Sequence, residues 1–234
     1  MDADTRKFHE KDVLQWTKHT SIAWTQDGKG FFYQAYEPPK SSKSAMQDSH
    51  AGQETDKLEN QKVFYHYLGA DQKDDILIYE NKAQPEWIFS ADISNDGKYL
   101  LIGSMKGTDK KNLLHYLDIS EKIAVNNTSN ATVHASTSSS ANSTTPVQNL
   151  FEQHANTTLP EEPKTKNYIK FTKLPQMTPL IADWIGEFSA IHNVGTKFYF
   201  QTNLNAPNGK LIMIDLNDPT KHVDVLPERQ DQVL

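Results

Sequence analysis

The 234-residue sequence predicts an all-β fold, a partial β-propeller of about three four-stranded antiparallel blades with one disordered low-complexity insertion. Three observations carry that reading. An Asp-Gly turn between two apolar runs occurs at Asp27-Gly28-Lys29 and again at Asp96-Gly97-Lys98, and a degraded copy follows at Asn193-Val194-Gly195-Thr196-Lys197. Such turns need a residue with φ > 0 and so join adjacent antiparallel strands. After each turn and its second strand comes a third strand that ends in a polar turn, at 63–68, 113–119 and 210–216. The cycle recurs three times in one order, and a repeated four-strand antiparallel unit points to propeller blades. The spacing exceeds the ~40–50 residues of common blade repeats because the intervals contain loop insertions.

Residues 1–17 read as the end of a preceding blade, since the polar lead-in of 1–11 carries no start-of-domain pattern and the chain enters in mid-fold. The first blade occupies 18–82: a strand at 20–24, its aromatic and β-branched partner at 30–36, a polar loop at 40–60, and a hairpin of 62–68 with 75–79. The second occupies 83–175, with strands at 87–93, 99–105 and 113–119 and an outermost strand at 167–171. Within it, composition shifts abruptly, since 24 of the 35 residues in 124–158 are Ala, Ser, Thr or Asn. A tract without apolar periodicity cannot bury a core, so about 122–166 is expected to be disordered. Residues 176–234 make the third blade and the start of the next, with 181–192 opening it, 197–202 pairing, 210–216 following, and a last strand at 222–226.

Composition narrows the functional classes. Net charge is −6 with interspersed signs, which supplies no basic stripe to track phosphates and argues against nucleic acid as a partner. There is no cysteine, so disulfides, thiolate zinc sites and a cysteine nucleophile are excluded. The N-terminus is charged where a signal peptide would be apolar, and no apolar run approaches the ~20 residues that span a bilayer. The expectation is a soluble cytoplasmic protein without a membrane partner. The N-x-S/T matches at Asn126, Asn127, Asn130, Asn142 and Asn156 follow from the biased composition of the insertion.

No catalytic constellation emerges. A serine nucleophile on a strand-to-helix elbow needs flanking glycines, and none of the ten glycines builds one. The nine histidines are scattered without a metal-binding pair; His66 and His115 fall within strands and read as packed or hydrogen-bonded side chains. The carboxylates of 71–75 read as a solvated turn with no spacing that forces convergence. Gly28-Lys29-Gly30 lies in a hairpin rather than before a helix, so it cradles no phosphate. No cofactor or metal ligand set is indicated.

Four segments, SIAWTQDGKGFFYQAY, QKVFYHYLGADQKDDILIYE, PEWIFSADISNDGKYLLI and KFYFQTNLNAPNGKLIMIDLNDP, closely resemble the N-terminal propeller of prolyl oligopeptidase, in the family's order. The resemblance covers most of the chain outside the insertion. It implies part of a seven-bladed ring that covers the catalytic centre of a serine endopeptidase cleaving short peptides after proline. The serine, aspartate and histidine would belong to an α/β-hydrolase domain in cis that is missing here, so no catalytic residue is assigned and the chain alone is expected to be inactive. The resemblance also implies three positions on the substrate-cavity wall, His19, Ile88 and Thr108. Only Ile88 keeps the apolar type usual there, and surface roles for His19 and Thr108 stand equally. Trp24, Trp87 and 31–33 read as blade core.

Two other classes compete with this reading. A stand-alone propeller-type interaction module would hold a protein partner on loops such as 40–60. A metal-dependent lactonase would need inward Asp, Glu and Asn side chains converging on a ring axis, which a broken ring cannot supply. Open faces at both ends predict an aggregation-prone or partly molten isolated chain.

Overall fold

The structure, a computed structural model, describes residues 5–6, 10–37, 58–120, 175–231 and 233–234. Twelve strands among them form three separate four-stranded antiparallel sheets. The first contains β1 (Ala23–Trp24), β2 (Gly30–Ala35), β3 (Lys62–Tyr67) and β4 (Ile76–Glu80). The second contains β5 (Trp87–Ile93), β6 (Tyr99–Lys106), β7 (Asn112–Asp118) and β8 (Thr178–Ile181). The third contains β9 (Phe188–Val194), β10 (Lys197–Thr202), β11 (Lys210–Asp215) and β12 (Asp218–Leu226). Each sheet is a meander in chain order, the blade unit of a propeller. The expected insertion at about 122–166, the strand at 167–171 and most of the loop at 40–60 lie outside the described residues.

The repeated turn has a local cause. At the first copy the Thr25 hydroxyl donates to Asp27 Oδ1 (2.7 Å), which also accepts the Lys29 N–H (3.1 Å). At the second, Ser94 and the Lys98 N–H meet Asp96 in the same way, at 2.7 and 3.3 Å. The repeated unit is therefore Ser/Thr-x-Asp-Gly-Lys, with the side chains substituting for backbone partners through the turn. The third copy lacks that pair, and Asn193 Nδ2 instead donates to the Gly195 carbonyl (3.0 Å). Burial works against the Asp96 charge, but bonds from Ser94, the Lys98 N–H and Asn193 hold its carboxyl below the usual range.

Two sheet boundaries differ from the sequence reading, each for a physical reason. β1 pairs over two residues rather than the expected 20–24. Just before it Ser21 N–H donates to Gln34 Oε1 (2.7 Å) and Gln34 N–H donates to Thr20 Oγ1 (2.9 Å), so side chains replace the ladder. His19 (φ 53°) also turns the chain out of extended conformation there. The fourth strand of the second sheet is Thr178–Ile181, beyond the boundary at 175. Its Pro179 lacks an N–H, which an edge position tolerates.

The sheets stack face to face. Ala23, Phe32, Val63, Tyr65 and Ile78 of the first meet Phe89, Ala91, Leu100 and Ile102 of the second in one buried cluster. Leu101, Leu114, Leu180 and Ile181 of the second meet Phe188, Phe198, Phe200, Ile212 and Ile214 of the third in another. Both faces of β6 are thus buried, and its apolar residues run continuously instead of alternating. In the third sheet β10 alternates, with Phe198, Phe200 and Thr202 buried and the residues between them not, and Ile191 and Val194 of β9 are exposed. Trp24 departs from the expected core role: it is 52% exposed and touches Phe31 at 4.9 Å between ring centroids.

Successive turns also touch. Gln26 Nε2 donates to the Asn95 carbonyl (2.7 Å), and Gly97 (φ 71°) sits so close that a Cβ there would meet Gln26 at 2.4 Å. Gly28 (φ 65°) has nothing within 4 Å of such a Cβ. Both glycines avoid the roughly 1–2 kcal/mol that a left-handed conformation costs an L-residue. Gly97→Ala is expected to destabilise the chain more than Gly28→Ala in urea denaturation. The excess is about 1 kcal/mol, the worth of the displaced Gln26 hydrogen bond.

Candidate functional site

Between the second and third sheets lies a cleft of about 430 Å³. Ser90 and Asp92 of β5 and Leu101, Gly103 and Met105 of β6 form one wall, and Phe188, Ser189 and Ala190 of β9 the other. Strand periodicity explains the first wall. Phe89, Ala91 and Ile93 turn toward the first sheet, so the even-numbered residues of β5 face the opposite way. Register then sets Ser90 beside Gly103 and Asp92 beside Leu101. Asp109 and Lys111 of the β6–β7 connection, Glu187, and Ser21 and Ile22 ahead of β1 complete the rim.

Amide side chains secure the seams on either side of β5 to β8. Gln61, 1% exposed, accepts the Phe89 N–H through Oε1 (2.6 Å) and donates through Nε2 to the carbonyls of Lys18 (3.3 Å) and His19 (3.1 Å). Asn112 repeats the device one sheet later: its Oδ1 accepts the Phe188 N–H (2.7 Å) and its Nδ2 donates to the Phe188 carbonyl (3.0 Å). Each amide stands at the start of the third strand of its sheet and takes a backbone N–H from the first strand of the next. Asn203 adds a further tie at the second seam, accepting the Glu187 N–H (2.8 Å) and donating to the Lys110 carbonyl (3.3 Å).

These ties locate the three residues proposed from the sequence. Gln61 joins the His19 carbonyl to the amide of Phe89, which brings His19 and Ile88 to the same seam. Ile88 pairs with the cleft residue Met105 and lies on the face of β5 that carries Ser90 and Asp92, but is not itself among the residues that line the cleft. Thr108 is exposed in the β6–β7 turn beside the rim residue Asp109. Among the described residues no hydrogen bond or ion pair joins these three side chains to one another.

The residues missed by sequence reasoning are Ser90, Asp92, Ser189 and Glu187. A signal existed in β5, where two polar residues share one face of a strand whose other face is apolar. Crowding by the surrounding chain raises the Asp92 carboxyl above its ordinary value, partly offset by the Ile93 N–H. A smaller cleft of about 330 Å³ lies beside β3 and β4, where Lys62 contacts Glu37 and Glu80. The hydrogen bond that Lys62 donates to Glu37, opposed by burial, raises the Lys62 ammonium above its usual value.

A further correction concerns the carboxylates of 71–75. Asp75 is not in a solvated turn: its side chain is 2% exposed, and it converges with Asp12 on the fully buried His66. His115 is half-buried, and desolvation lowers its pKa.

Three stacked blade-like sheets with a polar-rimmed cleft at their first strands define a propeller segment. A family profile described as the prolyl oligopeptidase N-terminal β-propeller domain matches residues 1–165 and 150–234, so the chain belongs to the prolyl oligopeptidase family, as part of its propeller. It is 30% identical over 224 residues to the dual function macrocyclase-peptidase POPB of Galerina marginata, covering 95% of this chain and 23% of that protein. To prolyl oligopeptidase A of Amanita bisporigera it is 27% identical over 208 residues, covering 89% of this chain and 20% of the relative. The solved structure of Galerina marginata prolyl oligopeptidase B bound to a 35mer hydrolysis and macrocyclization substrate superposes with a TM-score of 0.60. That match has 28% identity and covers 92% of this chain and 22% of the other. The chain thus spans less than a quarter of the length of these relatives.

The amide ties make a measurable demand. Gln61→Ala leaves the buried Phe89 N–H unpaired and is expected to cost about 1–3 kcal/mol in thermal or urea unfolding. Asn112→Ala, at a less buried seam, is expected at the lower end of that range.

Proposed function

We propose that this chain is the substrate-gating propeller portion of a prolyl oligopeptidase-like serine endopeptidase that cleaves short peptides after proline, with the chemistry supplied by an α/β-hydrolase domain in cis. The observation that carries the reading is the arrangement of β5. Ile88, Ser90 and Asp92 share one face, and Ser90, Asp92 and Met105, the strand partner of Ile88, line a cleft beside the first strands, the strands that face a propeller's central channel. Family membership makes a peptide the expected ligand, and the relatives, a macrocyclase-peptidase and a prolyl oligopeptidase, agree with that expectation.

The physical basis of gating is steric. A ring over a catalytic centre passes a flexible short peptide and excludes a folded protein, so selection by size needs no catalytic side chain on the ring. On the wall, Ile88 supplies apolar contact and His19 and Thr108 flank it at the seam and the β6–β7 turn. The chain works where the parent enzyme works, which we place in the cytoplasm.

In the whole enzyme, Ile88→Asp is expected to lower kcat/KM for proline-containing fluorogenic peptides by about ten- to a hundredfold, the scale on which a few buried methylenes discriminate. The 234-residue chain by itself is expected to hydrolyse none of them. Cleavage by the purified chain that a serine-directed inhibitor abolishes would overturn this division of labour.

A further inference from the structure

The segment YHYLG-x-DQ-x-DDI, distinctive in the sequence, plays no part in the cleft. It builds a buried polar unit on the other face of the first sheet. His66 lies in β3 with its ring wholly buried. Its Nδ1 is 2.8 Å from Asp75 Oδ1 and its Nε2 is 3.3 Å from Asp12 Oδ1. Asp75 Oδ2 also accepts the Tyr33 hydroxyl (2.6 Å), and Asp12 Oδ1 accepts the Gly69 N–H (2.6 Å). Gln72 extends the unit to the lead-in, accepting the Gln15 N–H (2.9 Å) and donating to the Gln15 carbonyl (3.0 Å). Leu14 packs beside them on Phe31, Tyr33 and Ala35. Residues 10–15, which were expected to end a preceding blade, here form a short 3-10 turn (Glu10–Asp12) and a non-strand cover on this face.

We propose that the buried His66 bridge between Asp12 and Asp75 is a proton-dependent clasp, holding residues 10–15 on the first sheet while His66 is charged and loosening them when it is neutral. A charged imidazole donates from both nitrogens and satisfies both carboxylates. A neutral one keeps a single proton. Asp75 retains it, because its contact is shorter and its side chain more deeply buried than that of Asp12 (2% against 15% exposed). The bare Nε2 then faces Asp12 Oδ1, lone pair against carboxylate, in a buried site where such an unmade bond is costly. The strain falls on the lead-in, which is otherwise held by the Gln15–Gln72 pair, the Gly69 bond to Asp12 and the packing of Leu14.

The surrounding charges do not supply an alternative proton. Lys11 from the lead-in and Lys73 from the 3-10 turn at Gln72–Asp74 both contact Asp71, at 4.0 and 3.9 Å; the two lysines are largely exposed and Asp71 is half-exposed. Asp74 belongs to that same turn, and Tyr33 donates to Asp75 from β2. The Phe31 and Tyr33 rings approach the imidazole at 5.2 and 6.4 Å between centroids and shut out water. Burial disfavours the His66 charge, yet Asp75 and then Asp12 hold its pKa above the ordinary 6.5. Because the folded value is raised, the stabilisation is complete below the unfolded value and is lost as pH rises through the folded one.

Amide hydrogen exchange of the 234-residue chain from pH 5.5 to 8.5, corrected for intrinsic rates, tests the clasp. Protection over residues 10–15, the Gln15 amide above all, is expected to fall about tenfold as pH rises through the His66 titration, the scale of one buried hydrogen bond lost. The Tyr36 amide, which donates to the Trp16 carbonyl beyond the clasp (3.0 Å), is the internal reference. Ring NMR of His66 in the same chain should titrate above 6.5. In Asp12→Asn the amide can accept from a charged imidazole or donate to a neutral one, so the step should flatten. A flat profile in the unaltered chain, a His66 pKa at or below 6.5, or an undiminished step in Asp12→Asn would each overturn the proposal.

Discussion

The second sheet has to be covered on both faces, and much of the molecule follows from that demand. Leu100 and Ile102 point toward the first sheet while Leu101 and Leu114 point toward the third. Burying each such side chain is worth about 1.5–3 kcal/mol, so a single blade of this kind cannot hold its own structure in water. The blades exist by stacking. The same logic explains why β10, which packs against the second sheet on one side, returns to alternation and why Ile191 and Val194 are exposed beside it.

Apolar stacking alone leaves the relative position of two sheets loosely specified, because such contacts have little directionality. The seams are fixed instead by directional polar groups. Gln61 and Asn112 each take the N–H of a first strand, and Gln26 ties one Asp-Gly turn to the next. Since an unpaired buried N–H is costly, each amide sets a register between sheets rather than within one. The cleft is a by-product of this arrangement: the walls are pinned at Asn112 and Asn203, and the polar face of β5 remains open between them.

The strands were legible because their signals are local. The turn at Asp96-Gly97 needs only its own hydroxyl, carboxylate and glycine, and the runs at 30–36, 62–68 and 99–105 declare themselves by composition. The misreadings lie where a distant group intervenes. β1 is shortened by Gln34, whose side chain takes the Ser21 N–H and whose own N–H donates to the Thr20 hydroxyl. Asp75 looked like one acid in a solvated turn, yet it is drawn inward by His66 and Tyr33 from neighbouring strands. Trp24, aromatic and within a strand, proved half-exposed because it sits at the end of a two-residue strand.

Thus sequence alone determined that the chain is all-β, repeats an Asp-Gly-Lys hairpin, and carries the motifs of the prolyl oligopeptidase propeller, since all of these are written in short stretches of neighbouring residues. Tertiary structure alone decided which polar side chains meet. The convergence of Asp12, His66 and Asp75, the pairing of Gln61 with Phe89, and the meeting of Ser90 and Ser189 in one cleft depend on strand register and sheet stacking. Those are set by contacts between residues far apart along the chain, and no local pattern encodes them.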